Sequence, residues 1–183
     1  MMRRRALLVL LALPLAGCKA PDPAALLEVS EVETYWAIDR ARGTTNYLAP
    51  AVRYRLRNKS AEPTRSIQAT ATFRRRNEPN VSWGSAWEQI TPAGQPLQPG
   101  DSVVVLMKSD ARYYSEGPPE TFFQHPQFKD ANVEVYLRVG PSGWVKFAAN
   151  EIDRRVGSKS VEQFANSGEP PIPTPPTPSP RTP

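Results

Sequence analysis

The sequence predicts an all-β domain, an antiparallel sandwich of about seven strands, followed by a short helix and a proline-rich tail. Three observations lead to this prediction. Hydrophobic and polar residues alternate with a period of two through much of residues 26–156. Clusters of Gly, Pro, Asn and Ser separate the alternating segments and mark turns. No long helical pattern lies between these segments, which favours antiparallel strands packed in two layers.

The predicted strands can be taken in chain order. The first, residues 27–39, changes phase after Val29, which predicts a β-bulge near Ser30 and Glu31. The second, residues 51–58, has apolar side chains at even positions and arginines at odd positions from Val52 to Arg57. Residues 102–108 form a nearly continuous apolar run, as expected of a central strand. Further strands are predicted at residues 67–75, 86–90, 132–140 and 144–152. Turns are predicted at residues 58–60, 92–94, 99–101 and 140–143.

These patterns divide the chain into five segments. Ser160 and Gln163 have the spacing of a capping box, which predicts the short C-terminal helix. The last segment is about half proline, so it can form neither ladders nor helix bonds, and we expect a disordered tail rich in polyproline II. The predicted segments are a signal peptide (1–17), a lipidated tether (18–25), a β-sandwich domain (26–156), a short helix (157–167) and the proline-rich tail (168–183).

The N-terminus resembles a bacterial lipoprotein signal peptide. Arg3–Arg5 precede an apolar run at residues 6–16, which is too short to span a bilayer. The run ends in Leu15, Ala16, Gly17 and Cys18, which resemble a lipobox, and Cys18 is the only cysteine in the chain. The resemblance implies that the Cys18 sulfur carries a diacylglycerol and that cleavage precedes it. Acyl chains would then anchor the protein to the lipid bilayer without a transmembrane helix. The alternative is an ordinary signal in which Cys18 is incidental.

Loss of the signal peptide changes the charge balance. The full chain has 23 Lys and Arg against 18 Asp and Glu, but residues 1–17 hold three arginines and no acid, which leaves 20 against 18. A nearly neutral mature chain offers no electrostatic case for a nucleic-acid partner. The sequence therefore predicts a protein of the bacterial cell envelope. Lys19 follows the lipidated cysteine and favours the outer membrane, facing the periplasm, over the inner membrane.

Part of the predicted β-sandwich domain resembles the FxLYD-type and related immunoglobulin-like domains of bacterial envelope lipoproteins. Residues 52–107 carry the resemblance through the turn Asn58-Lys59-Ser60, a strand that ends at Phe73, and the turn 97–102, which reads Leu-Gln-Pro-Gly-Asp-Ser. The resemblance implies an immunoglobulin-like sandwich and no catalytic residues. The chain departs from the family at the motif that gives the family its name. Three arginines and an asparagine follow Phe73, and there is no Leu-Tyr-Asp.

The sequence does not predict an enzyme or a cofactor. His125 is the only histidine and stands beside a proline, which favours a surface or loop-packing role over that of a catalytic base. A zinc site needs three or four ligands, and Cys18 would be consumed by acylation. The carboxylates of Glu31 and Glu33 alternate on a predicted strand and are expected to be solvated. Two alternatives remain open: an accessory hydrolase acting on cell wall or glycan, and a carrier with an apolar cavity for a lipid or glycolipid.

Two groups of residues are candidates for a binding surface. The first is Arg74, Arg75 and Arg76, a cluster at the end of a strand that suits bidentate contacts with anionic groups. The second lies in a long segment between two predicted strands and consists of Tyr113, Tyr114, Phe122, Phe123 and Phe128. The alternative for this segment is that Phe122, Phe123 and Phe128 fold back into a cluster of their own.

Other arginines and aromatics have structural explanations. Arg53, Arg55 and Arg57 could form a phosphate-binding patch, but we favour cross-strand pairing with the acids of the first strand, Glu28, Glu31 and Glu33. Trp36, Trp87 and Trp144 lie in or beside strands and are predicted to be in the core, whereas Trp83 is a candidate for exposure. The sequence thus predicts a non-enzymatic lipoprotein that binds or assembles with an envelope protein or an anionic glycan or glycolipid.

Overall fold

The computed structural model describes residues 20–42, 45–92 and 94–157. This part of the chain is predominantly β-structure, so the prediction of an all-β protein is confirmed. The predicted C-terminal helix, the proline-rich tail and Cys18 lie outside the described residues. The elements are α1 (Pro23–Leu26), β1 (Leu27–Arg42), β2 (Thr45–Asn58), β3 (Ile67–Arg75), β4 (Gly84–Gln89), β5 (Ser102–Lys108), β6 (Tyr113–Ser115), a 3₁₀ helix (Pro119–Gln124), β7 (Ala131–Val139), β8 (Val145–Glu151) and β9 (Val156–Gly157).

The strands form two sheets. Sheet 1 has the order β5-β2-β1-β9, with β6 also paired to β2, and sheet 2 has the order β4-β3-β7-β8. All pairs are antiparallel except the short parallel pair of β1 and β9. The chain passes between the sheets after β2, β4, β6 and β8, so each sheet is completed by strands that are distant in sequence.

The bulge predicted in the first strand is confirmed. The register between β1 and β2 shifts between Ser30 and Glu33, and Glu31 has a positive φ of 51°. A bulge adds one residue to one strand, so side chains before and after it keep the same orientation despite the change of phase. As a result Leu27 and Trp36 are both buried in the core.

One hydrophobic core lies between the two sheets. The even positions of β2 and the odd positions of β3 and β7 point into it, as the alternating pattern predicts. The largest buried side chains come from both sheets: Trp36, Leu48, Tyr54 and Leu56 from sheet 1, and Ile67, Phe73 and Leu137 from sheet 2. Within the described ranges, no helix has the length and apolar character needed to cross a bilayer.

Three details of the predicted organisation are corrected. The apolar strand β5 is an edge strand of sheet 1, and Leu106 on it is 37% exposed, so it is not central. The pairing of β7 with β8 shifts register after Val135, so Ala148 packs on the core while Ala149 is exposed, against the predicted alternation. Part of the predicted tether belongs to the packed domain, because α1 packs against β7 and β8 and Pro23 is buried.

Candidate functional site

Arg53 and Arg55 of β2 pair with acids of β1, as the favoured interpretation predicted, whereas the Arg57 Nε donates to the Gly100 carbonyl oxygen at 3.3 Å. The Arg53 Nη1 lies 3.1 Å from the Glu33 Oε2, and the Arg55 Nε lies 3.0 Å from the Glu31 Oε1. Arg53 is almost fully buried at 4% exposure. The bulge at Glu31 brings both carboxylates within reach of their arginines, so these residues stabilise the pairing of β1 with β2.

The cluster Arg74–Arg76 is not a free cationic patch. Arg74 pairs with Glu134 on the neighbouring strand β7, and Arg76 pairs with Glu151 at the end of β8. The Arg75 Nη1 lies 3.9 Å from the Glu78 Oε2 in the loop that follows β3. The prediction of an anion-binding cluster is therefore corrected, because each guanidinium has an acidic neighbour: Glu78 is close in sequence, and folding brings in Glu134 and Glu151.

The prediction that the aromatic segment forms a binding surface is also corrected, since most of its aromatic side chains belong to the core. Phe122 and Phe128 are 6% and 8% exposed, because the 3₁₀ helix directs Phe122 inward and the next turn does the same for Phe128. The ring centroid of Phe128 lies 5.1 Å from that of Trp36. Phe123 and Tyr113 are half-buried against the same cluster. The segment folds back, as the alternative predicts, but its rings join the main core instead of forming a separate cluster.

The side chains of Tyr113 and Tyr114 lie on opposite faces of β6. The strand pairs with β2, and because consecutive side chains point to opposite faces, Tyr113 enters the core while Tyr114 stays 73% exposed. Tyr113 also meets the arginine cluster, since the Arg75 guanidinium carbon lies 5.8 Å from its ring centroid and 5.0 Å from that of Trp83. The two surfaces predicted from sequence thus meet at one end of the core, where they form a structural cluster.

Exposed aromatics lie instead on the outer face of sheet 2. Trp87 is 58% exposed and Trp144 is 40% exposed, so the prediction that both belong to the core is wrong. Trp87 pairs in register with Thr70, which pairs with Tyr136, which pairs with Lys146. These four side chains therefore cross sheet 2 in one row on the face away from the core.

Trp144 lies beside the next row of the same face. The Arg138 guanidinium carbon is 4.8 Å from the Trp144 ring centroid, which is the geometry of a cation–π contact. Arg138 also donates from Nε to the Gln68 Oε1 at 2.6 Å. The Gln68 amide nitrogen in turn donates to the Gln89 Oε1 at 2.9 Å, and Gln89 donates to the Thr91 carbonyl oxygen at 3.0 Å. This relay holds the polar side chains in fixed orientations.

A second network fixes the row that contains Tyr136. The Glu134 carboxylate accepts hydrogen bonds from the Lys146 ammonium and the Tyr136 hydroxyl, each at 2.9 Å, and pairs with Arg74. The hydrogen bond from Lys146, followed by those from Tyr136 and Arg74, lowers the pKa of Glu134 to about 2. The same partnership raises the pKa of Lys146. Glu134 is thus an anion at neutral pH.

We refer to the side chains of Trp87, Trp144, Gln68, Arg138, Thr70 and Tyr136 as the tryptophan face. One indole is on the edge strand β4 and the other immediately precedes the edge strand β8, and these two strands lie three strand spacings apart, which is about 14 Å across the sheet. Polar side chains held by hydrogen bonds lie between them. Such a surface can bind an extended ligand by ring stacking and hydrogen bonding, and its residue types are those of recognition.

A cleft adjoins this face where the edges of the two sheets meet. It has a volume of about 530 Å³ and lies between β4 and β5. Its lining residues are Ser85, Ala86, Trp87, Glu88, Leu106, Met107, Lys108, Ser109, Asp110 and Arg112. Asp110 closes one end, because its side-chain Oδ1 accepts from the Ser85 amide at 2.7 Å and its own amide donates to the Ser85 carbonyl oxygen at 3.0 Å.

A signal for Trp87 is present in the sequence. In the strand around it, Ala86 and Glu88 alternate with Trp87 and Gln89, and the polar Gln89 and Ser85 share the phase of Trp87. Polar neighbours two residues away on both sides indicate a solvent-facing position. His125, the only histidine, is exposed in the loop after the 3₁₀ helix, and its Nδ1 accepts from the Gln127 amide at 3.2 Å.

Comparisons with known proteins found matches among solved structures only. No family model matches the chain, and no curated protein matches it. A Bordetella pertussis protein provisionally named ApaA is 14% identical, with a TM-score of 0.39 over 69% of this chain and 91% of that one. An Archaeoglobus fulgidus protein is 13% identical, with a TM-score of 0.39 over 68% and 96%. A GH20 exo-β-N-acetylglucosaminidase from Vibrio harveyi is 14% identical, with a TM-score of 0.26 over 71% of this chain and 19% of the enzyme.

Proposed function

We propose that this chain is a lipid-anchored, non-enzymatic binding module of the bacterial envelope, and that it presents the tryptophan face to an envelope component. The observation that carries the proposal is the exposure of Trp87 and Trp144 on one face of sheet 2. Large aromatic side chains are usually covered, and those left in water beside ordered polar groups mark recognition surfaces.

We further propose that the domain is an immunoglobulin-like sandwich. Its support is the contact between the two turns that resemble the family. The Gly100 amide donates to the Asn58 carbonyl oxygen at 2.8 Å, and the Asn58 amide donates to the Asp101 carbonyl oxygen at 2.9 Å. Two sheets that share one core and exchange strands at four crossings fit the same architecture.

The anchor proposal rests on the N-terminal sequence. Cys18 precedes Pro23, where the ordered helix α1 begins, by five residues. An extended chain of that length spans at most about 18 Å. The acylated Cys18 would hold the domain next to the bilayer surface, so an envelope component close to the membrane is the expected partner.

The anchor is tested by replacing the proposed acylation site. The variant Cys18→Ala should lose the acyl chains and leave the detergent phase in Triton X-114 partitioning, while the wild-type protein stays there. Mass spectrometry of the N-terminal peptide should show a diacylglycerol on Cys18 of the wild type. A mature wild-type protein with an unmodified Cys18 would overturn the anchor and leave the binding surface to be judged separately.

The binding surface is tested by site-specific photocrosslinking in intact cells. A photoreactive residue at Thr70, between the two tryptophans, should give a discrete adduct that disappears in Trp87→Ala/Trp144→Ala. The matched control places the probe at Tyr114, an exposed aromatic of sheet 1, where no discrete adduct is expected. Thermal unfolding of each variant checks that the fold is intact. Adducts at Thr70 that persist without the two tryptophans, or their absence from the wild type, would contradict the proposal.

A further inference from the structure

We infer that the tryptophan face recognises an acidic glycan, with sugar rings stacked on Trp87 and Trp144 and an anionic group bound at Arg138. The inference rests on the proposed function, because it names the ligand class of the same surface. Three features carry it: the hydrogen-bonding state of Arg138, the charge balance around it, and the separation of the two indoles.

The terminal guanidinium nitrogens of Arg138 remain available to bind a ligand. Its Nε is used in the hydrogen bond to Gln68, and its guanidinium is held against Trp144. Among the described residues, its two terminal nitrogens donate no hydrogen bond and no carboxylate pairs with it. A guanidinium fixed at one edge and unengaged at the other can donate two parallel hydrogen bonds to a carboxylate, sulfate or phosphate. The rigid relay through Gln68 also reduces the entropy lost on binding.

Neighbouring charges favour an anion. Lys146 and Arg74 on the same face converge on one carboxylate, Glu134, whose low pKa keeps it ionised. Together with Arg138, these three side chains make a group of three cations and one anion. The local potential is therefore positive although the mature chain as a whole is close to neutral. Arg74, Arg75 and Arg76 each have an acidic neighbour, whereas Arg138 has none among the described residues and keeps its terminal donors for a ligand.

The spacing of the apolar groups favours a glycan over a protein. The exposed apolar surface is divided into two indoles on opposite strands, with Thr70 and Tyr136 between them, rather than one contiguous patch. Protein interfaces usually have an apolar core surrounded by a polar rim. A glycan presents apolar C–H faces and hydroxyl groups in alternation along its length. An oligosaccharide would place rings on both indoles and hydroxyls on the fixed amides and the Tyr136 hydroxyl.

The test uses the acylated mature chain in detergent micelles and three probes of equal length. These are an oligogalacturonate, its carboxyl-reduced neutral counterpart, and a sulfated heparin-type oligosaccharide. Binding is followed by tryptophan fluorescence and by calorimetry. We expect at least one anionic probe to bind at least tenfold more tightly than the neutral one, since charge-assisted hydrogen bonds contribute about that much. Added salt should weaken binding of the anionic probes only.

Substitutions test which residues are responsible for the preference for anionic probes. Arg138→Gln should weaken the anionic probe about tenfold, to the level of the neutral probe, and leave the neutral probe unchanged. Arg138→Lys keeps the charge but lacks the planar fork, so it should recover only part of the affinity. Trp144→Ala should weaken all probes, and Tyr114→Ala none of them.

The outcomes separate the inference from the proposed function. Equal affinity for anionic and neutral probes, or an Arg138→Gln variant that binds like the wild type, would overturn the assignment of an acidic ligand. If no probe binds while the Thr70 crosslink still requires the two tryptophans, the ligand is a protein, so the inference is wrong and the proposed function stands. Loss of both signals from a folded protein would overturn both.

Discussion

The side-chain amide of Asn58 donates a hydrogen bond to the carbonyl oxygen of Leu97 at 2.9 Å and so joins two turns that are far apart in sequence. The same nitrogen donates to the Glu62 carbonyl oxygen at 2.9 Å, and the Oδ1 accepts from the Ser60 amide at 3.0 Å and from its hydroxyl at 2.7 Å. Asn58 is fully buried, so water cannot replace these partners. The residue acts as a structural link between the end of β2 and the turn before β5.

Replacing Asn58 should therefore be costly. Asn58→Ala leaves several buried groups unpaired, and we expect a loss of about 3 kcal/mol in the free energy of unfolding, measured by urea denaturation. A matched control is Asn46→Ala on the same strand, which removes one hydrogen bond, from its Nδ2 to the Gly117 carbonyl oxygen at 3.0 Å, and should cost about 1 kcal/mol. Equal effects of the two substitutions would contradict this role for Asn58.

Gly84 allows the close approach of β4 to the turn after β5. A Cβ at this position would lie 2.1 Å from the Ser109 Oγ and 2.8 Å from the Ala111 Cβ. Gly84→Ala should force β4 away from the turn after β5 and destabilise the domain by about 2 kcal/mol. Gly143→Ala is the control, because a Cβ there meets nothing within 4 Å, and its effect should stay within about 0.5 kcal/mol. Thermal and urea unfolding of both variants measure the difference.

The aromatic segment can be assigned to the core or to the surface by two substitutions. Phe128→Ala removes a ring that contacts Trp36 and Phe122, so it should cost about 3 to 4 kcal/mol of unfolding free energy. Tyr114→Ala, at a position 73% exposed on the same segment, should change stability by less than about 0.5 kcal/mol. Urea denaturation measures both losses. A larger loss for Tyr114→Ala than for Phe128→Ala would assign the segment to the surface.

The Glu134 network makes stability depend on acid pH. The folded-state pKa of about 2 is lower than the ordinary value of 4.5, so ionised Glu134 stabilises the folded state. This contribution is fully present above pH 4.5 and is lost as the pH falls from 4.5 through about 2. Glu134→Gln should abolish that part of the pH dependence, so the difference in unfolding free energy between wild type and variant should shrink over this interval. A difference independent of pH in urea titrations would show that the Glu134 charge contributes nothing.

Predictions from short-range pattern were confirmed where the feature is local. The alternation in residues 51–58 identified the buried positions of β2, and the phase change after Val29 located the bulge. The pairing of Arg53 and Arg55 with acids of β1 also followed, because β1 and β2 are consecutive and antiparallel. Each of these depends on the pleat of a strand or on its nearest neighbour along the chain.

Predictions that require the position of a strand within its sheet were wrong. The apolar run at residues 102–108 predicts a central strand, but β5 lies at an edge, and the apolar character of Val105 and Met107 reflects the core on one face only. Trp87 and Trp144 were assigned to the core by residue type. Their exposure depends on β4 and β8 being the outer strands of sheet 2, with the indoles on the face away from sheet 1.

By itself, the sequence determined the all-β class, the inward positions of β2, β3 and β7, the bulge in β1 and the two turns that Asn58 links, because a period of two and turn chemistry act over a few residues. Only the tertiary structure decided which strands lie at edges, which acid neutralises each arginine, and which aromatics are covered. Tyr113, Phe123 and Phe128 are covered because they pack against Trp36 from another part of the chain. Trp87 and Trp144 remain in solvent because burial of a side chain requires a second layer of protein, and the core lies on the other face of sheet 2.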